Sequence, residues 1–290
     1  MSGPATCGRV AVIGTGLIGG SFCLALRKRG LAQHIVGVAR TEETRQTCLQ
    51  RGLMDEATDD PAAAAEQADL VYLASPLPSY EAIFRIVGPV LGPDALFTDA
   101  GSVKAPVVAQ AEALLPDPGQ FVPGHPMAGS EESGAAHADA DLFVGRPYFL
   151  TPGQHTASPL LERARALVQA LGARPLVMAP EAHDEVVAAV SHVPHLVAAA
   201  LVDLVASAGP SAADRQQAVG PGFLDTTRVA SGPAGMWREI VAANRENVAA
   251  LLAEVMQRLE RVRGLIARGE WEQLEQWLSE AARWRRELNG

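Results

Sequence analysis

Val10-Ala11-Val12-Ile13-Gly14-Thr15-Gly16-Leu17-Ile18-Gly19 decides the fold of this chain. The apolar run Arg9–Ile13 has the length and content of a buried strand, and Ile18–Arg29 has the period of an amphipathic helix ended by Gly30. Between them stands G-x-G-x-x-G. The first glycine, Gly14, makes the tight turn, Gly16 lets the backbone approach a pyrophosphate, and Gly19 brings the helix close to the sheet. The helix opened by Leu17 and Ile18 then turns its amides and dipole toward the phosphates. The reading is a dinucleotide site.

Outward from that turn, short apolar runs alternate with helical patterns as far as Pro180, the pattern of a parallel sheet covered by helices. The expected strands are Arg9–Ile13, Ile35–Ala39, Leu70–Ala74, Ala95–Thr98, Phe121–Pro123, Tyr148–Thr151 and Leu176–Ala179. After Pro180 strand signals stop, and 181–208, 221–230, 236–267 and 271–288 read as helices. The fold class is therefore α/β: a Rossmann-like parallel-sheet domain over 1–180, then an all-α domain over 181–290. Val241, Val248, Leu251, Leu252, Val255 and Leu259 recur at helical spacing, and so much apolar surface predicts a homodimer through the helical half.

Composition narrows the partners. A net charge of −9 and the lack of a basic stripe argue against nucleic acid, and an anionic substrate must be caught by individual cations. Cys7, Cys23 and Cys48 form neither a disulfide framework nor a metal spacing, which suits a reducing cytoplasm. No signal peptide is read in Met1–Gly8. The apolar run Val186–Ala206 is interrupted by His192, Pro194, His195 and Asp203, so a buried helix is expected rather than a membrane span.

Cofactor choice turns on the end of the second strand, where an acid would bind the ribose hydroxyls of NAD. Here the sequence runs Val38-Ala39-Arg40-Thr41, and Arg40 with Thr41 suits the 2′-phosphate of NADP. Glu42 and Glu43 follow closely and keep NAD open. Two further segments, Asp99–Lys104 and Gly124–Ser130, are expected to follow strands of one parallel sheet and to open at its carboxyl edge, where the nicotinamide must lie. His125, between glycine and proline on a rigid turn, is placed for proton transfer near neutral pH. Ser102 suits an N-cap of a helix starting at Lys104, and Lys104 reads as a solvated helix residue. His192 and His195 share a helix face, with no third ligand at metal spacing, and Pro194 is expected to kink that helix and turn His195 inward. Trp237 and Trp271 read as core or interface anchors, and His183 has no assigned role.

Taken together, Gly14–Ser21, Asp99–Lys104, Gly124–Gly129, Ser191–His195, Asp225–Ala230 and Trp237–Ile240 followed by Asn244 resemble the prephenate/arogenate dehydrogenase family of tyrosine biosynthesis. The resemblance spans nearly the whole chain. It implies oxidative decarboxylation of a cyclohexadienyl acid with NAD(P), His125 as the base and Ser102 hydrogen-bonded to His125 and to the substrate hydroxyl. It further implies a substrate pocket of His195, Arg228 and Ser130, with Arg228 clamping a carboxylate, and Ser75 beside the cofactor. Arg228 as a subunit-interface ion pair stays open. Prephenate and arogenate differ by a keto or amino group, so an acid among Glu131 and Glu132 bears on the choice, while His195 favours prephenate. A β-hydroxyacid dehydrogenase would need a lysine in the helical half, and none follows Lys104. A nucleotide-sensing protein would leave His125, His195 and Arg228 without a job.

Overall fold

The computed structural model describes residues 6–129, 132, 134–207 and 212–288. The chain opens with β1 (Cys7–Ile13), α1 (Leu17–Lys28), β2 (Ala32–Val38), α2 (Glu42–Gln50), β3 (Glu56–Thr58), α3 (Pro61–Ala65), β4 (Leu70–Leu73), α4 (Tyr80–Val87), β5 (Leu96–Asp99), α5 (Ala105–Leu114) and β6 (Phe121–Val122). All six strands are parallel, in the order β3-β2-β1-β4-β5-β6. That order reverses between β1 and β4, which creates a crevice at their carboxyl ends.

Both faces of this sheet are covered, so its strands read as unbroken apolar runs rather than as alternation. Val10 and Val12 pack with Phe22 and Leu26 on one face, while Ala11 and Ile13 pack with Tyr80 and Phe84 on the other. Phe84, Phe97 and Phe121 meet edge to face.

The expectation of a single sheet fails after β6. Strands β7 (Gly124–Pro126), β8 (Pro147–Leu150) and β9 (Arg174–Val177) form a second sheet, with β7 antiparallel to β8 and β8 parallel to β9. Helix α6 (Ser158–Ala170) joins β8 to β9. Pro123 is the physical cause: it has no N–H for the ladder, and the following amide, Gly124 N–H, turns to the Asp99 carboxylate at 2.9 Å. His125 thus sits on a strand of a second sheet, not on a loop of the first.

Helices α7 (Pro180–Val187) and α8 (Val193–Ser207) follow, joined by a π-helical turn over Ala188–His192. Pro194 cannot donate to the helix ladder, and the widened turn directly before it accommodates the loss. The segment Pro180–Ser207 is long and apolar enough to cross a membrane by length and composition alone, and it carries the buried polar residues described below. Then come α9 (Ala212–Ala218), α10 (Pro221–Thr227), a 3-10 turn over Arg228–Ser231, α11 (Ala234–Ala243), α12 (Arg245–Arg268) and α13 (Trp271–Glu287). The helix expected over 236–267 is two helices, broken at Asn244. By contacts the chain divides into two compact units, Met1–Asn244 and Arg245–Gly290, and every site residue below lies in the first.

Candidate active site

The glycine turn has the shape a pyrophosphate needs. Gly14 adopts φ +93°, and a Cβ there would stand 2.6 Å from Ala74 O and 2.7 Å from Ser75 N. A Cβ on Gly19 would fall 1.9 Å from Gly14 O, so the helix lies against its own turn. At Gly16, by contrast, a Cβ would meet nothing within 4 Å. Helix α1 starts after Gly16 with no side-chain cap, so its first amides remain directed at that open side. Two closed glycines around one open one fit a bound dinucleotide. Ser75, next to the Gly14 turn, accepts a hydrogen bond from Ser79 Oγ at 3.0 Å.

At the ribose end, β2 finishes without an acid and Arg40 is exposed. Thr41 Oγ1 caps α2 by accepting from Thr44 N–H at 3.2 Å. Arg45 donates to Ala39 O at 2.8 Å and to Glu42 Oε2 at 2.8 Å, and Gln46 donates to Glu42 Oε1 at 2.7 Å. The Glu42 carboxylate is therefore engaged within its own helix.

Registers carry this turn across to the second motif. Ile13 pairs with Leu73, and Leu73 with Asp99, so the carboxyl ends of β1, β4 and β5 stand side by side. Asp99 is fully buried and accepts from Gly101 N–H at 2.8 Å and Gly124 N–H at 2.9 Å. Lys104 Nζ donates to the same carboxylate and, at 2.8 Å, to Gly124 O. Lys104 is thus not solvated but wholly buried, clamping β5 to β7. Burial outweighs the pull of Asp99 and holds its ammonium below the usual lysine value.

Asp184, midway along α7, reaches across to α5. Its carboxylate accepts from Lys104 N–H at 2.7 Å and Ala105 N–H at 2.9 Å, satisfying the first amides of that helix. This corrects the capping role expected of Ser102: α5 starts later, at Ala105, and Asp184 supplies its cap. His183 Nδ1 lies 2.8 Å from Asp184 Oδ1, and His183 Nε2 lies 2.8 Å from His125 Nδ1. Phe149 packs edge-on against His183 and beside His125. The half-buried Ser102 shares no hydrogen bond with His125 among the described residues; the Nδ1 of His125 goes to His183 instead.

Burial, then repulsion from the protonated forms of His183 and His192 and from the Lys104 ammonium, pushes His125 well below the ordinary imidazole value. Burial lowers His183 too, partly offset by Asp184. His192 is lowered to about 4, chiefly by burial, and its Nδ1 lies 3.2 Å from Asn244 Nδ2, which also donates to Asp184 O at 2.8 Å.

His195 stacks on Trp237, with ring centroids 3.6 Å apart and 13° between planes, and His192 meets the same indole edge-on. One indole thus meets both histidines. His195 also hydrogen-bonds the Val229 backbone, which ties it to the turn begun by the exposed Arg228. Its Nδ1 is buried with no partner among the described residues. Ser130 and Glu131 lie outside the described residues. Sequence reasoning missed His183, Asp184 and Trp237, because their partners are 58, 80 and 42 positions away in the chain.

Residues 22–177 match the family model described as prephenate dehydrogenase, nucleotide-binding domain, and residues 179–280 match prephenate dehydrogenase, dimerization domain. Prephenate dehydrogenase of Bacillus subtilis is 33% identical over 95% of this chain and 75% of its own length. The structure of A. aeolicus prephenate dehydrogenase in complex with hydroxyphenyl propionate and NAD+ superimposes with a TM-score of 0.90 at 34% identity, covering 97% of this chain and 98% of that one. Synechocystis arogenate dehydrogenase gives a TM-score of 0.79 at 32% identity, over 96% and 98% of the two chains. With a dinucleotide turn, a buried histidine on the strand tied to that sheet's carboxyl edge and these matches along its length, the chain belongs to the prephenate dehydrogenase family of NAD(P)-dependent oxidoreductases.

Proposed function

We propose that this enzyme oxidatively decarboxylates prephenate to 4-hydroxyphenylpyruvate and carbon dioxide. The observation that carries the reading is His125, buried and kept neutral beside the carboxyl edge that bears the dinucleotide turn. The dinucleotide, held at Gly14, Gly16, Leu17, Ile18, Gly19 and Ser75, supplies the hydride acceptor. His125 takes the proton of the ring hydroxyl as that carbon gives up its hydride. The ring carboxylate then leaves as carbon dioxide, and aromatisation makes the step irreversible.

Arg228 clamps a substrate carboxylate, and His195, backed by Trp237, lines the substrate pocket. Ser102 contacts the substrate hydroxyl. Prephenate is favoured over arogenate because Glu132, which would meet an ammonium, is paired with His137 at 2.6 Å. NADP+ is favoured over NAD+ by the exposed Arg40 and by the engagement of Glu42 within α2; the A. aeolicus relative binds NAD+, which makes NAD+ the second reading. The division of labour falls near Pro180, with nucleotide binding over 1–180 and substrate binding and pairing of two copies over 181–290. Three buried free cysteines suit a reducing cytoplasm.

The test crosses prephenate and arogenate with NAD+ and NADP+ and follows the fluorescence of the reduced cofactor. Turnover is expected with prephenate, faster with NADP+. Turnover of arogenate alone would reverse the substrate assignment, and no turnover in any pair, with nucleotide bound, would break the reading.

A further inference from the structure

Four hydrogen bonds, with His183 uncharged, fix where each proton lies in the histidine chain. The two oxygens of Asp184 accept the amides of Lys104 and Ala105, so its carboxylate faces donors at the positive end of α5. His183 Nδ1, at 2.8 Å from Asp184 Oδ1, is then the protonated nitrogen of that ring. Burial keeps His183 neutral, so its Nε2 carries a lone pair and can only accept. The group that faces this lone pair at 2.8 Å is His125 Nδ1, which must be the N–H. Neutral His125 is left with its lone pair on Nε2, for which no hydrogen bond occurs among the described residues. A histidine with the opposite tautomer would turn a donor toward a hydroxyl it has to deprotonate.

From this geometry we infer that His183, oriented by Asp184, is a positioning residue that holds His125 in the Nδ1–H tautomer with Nε2 as the basic atom. The inference rests on His125 being the base of the proposed reaction. It gives work to a residue that is fully buried. Phe149, against both rings, fixes the angle at which they meet.

The experiment combines nitrogen-15 NMR of labelled histidines in the intact enzyme with kinetics of His183→Phe and His183→Gln, the His125 signals being assigned by their loss in His125→Asn. In the wild type, His125 is expected to show a pyrrole-like Nδ1 and a pyridine-like Nε2. Phenylalanine keeps the packing against Phe149 but removes the acceptor. It should move His125 toward the other tautomer and lower kcat on the order of 10- to 10²-fold, with KM for substrate and nucleotide nearly unchanged. Glutamine, whose carbonyl can stand where Nε2 stood, should recover most of the lost rate and the native tautomer. A wild-type His125 protonated on Nε2, or a phenylalanine variant with native tautomer and native kcat, would overturn the inference. Should the phenylalanine variant not fold, the wild-type spectrum decides alone. A wild type with the Nδ1–H tautomer but no turnover would leave this arrangement standing and sink only the proposed reaction.

Discussion

Burial first, then the Lys104 ammonium and the repulsion that any proton gained by His183 or His192 would add, act on His125 in one direction, toward the neutral ring. A base is active when neutral, that is, above its pKa. With that pKa well below the usual 6.5, the activity should not titrate where an ordinary histidine would. The expected profile of kcat/KM, which reports the free enzyme, stays level from about pH 8 down to about pH 6.5 and falls only as His125 takes a proton below that. His125→Asn should bind nucleotide and substrate as before while kcat drops on the order of 10²- to 10⁴-fold. Calorimetric binding beside initial rates checks both halves. An asparagine variant with near-native kcat would remove His125 from the chemistry. The buried Lys104–Asp99 pair is a different kind of residue: with both charges out of water, its worth lies in clamping β5 to β7 rather than in net stability.

At the scale of elements, the glycine turn divides into parts with separate jobs, and substitutions can pull them apart. Gly16 faces open space, so Gly16→Ala should fold with nearly unchanged Tm yet bind NAD(P) more weakly, because the methyl group occupies room the pyrophosphate needs. Gly19→Ala should do the reverse in kind: its Cβ would stand 1.9 Å from a backbone oxygen, so Tm falls before binding is even measured. Thermal melts and nucleotide titrations of the two variants side by side test this. Equal melting losses would mean that Gly16 is a structural glycine too. This turn was legible in the sequence because its signals are local: a buried run, three spaced glycines and a helical period. The short β3 and α3 were not, having too few residues to carry a period. The break at Asn244 was hidden because aliphatic spacing continues across it, and only the long-range bonds of its side chain to Asp184 and His192 mark the place. The candidate site was half legible for the same reason. His125 sits in a local motif, whereas the chain from Asp184 through His183 exists only after α7 has docked on α5.

At the scale of the whole molecule, the second compact unit cannot account for its own surface. Helix α12 has 24 residues, about 36 Å of length. Leu252, Val255, Leu259, Val262 and Ile266 recur along it at spacings of three and four, the stripe of a helix that faces a partner. In a single copy Leu259 is 57% exposed and Ile266 51%, and on α13 Trp271 and Trp284 are more than 60% exposed. Isolated exposed apolar residues are ordinary, whereas a repeating stripe on a helix is the pattern an association surface presents. The match of 179–280 to a dimerization domain agrees with that reading. Sedimentation at micromolar concentration should therefore give twice the chain mass of 30.4 kDa. Leu259→Glu tests the surface itself. In an isolated chain a glutamate at so exposed a position costs little, so the fold and its helical signal should survive; across a dimer it would bury an unpaired charge, so the sedimenting species should fall to a single chain. A wild type that sediments as one chain would refute the dimer. A Leu259→Glu variant that stays dimeric would move the interface off the α12 stripe, leaving the exposed tryptophans of α13 as the next surface to change.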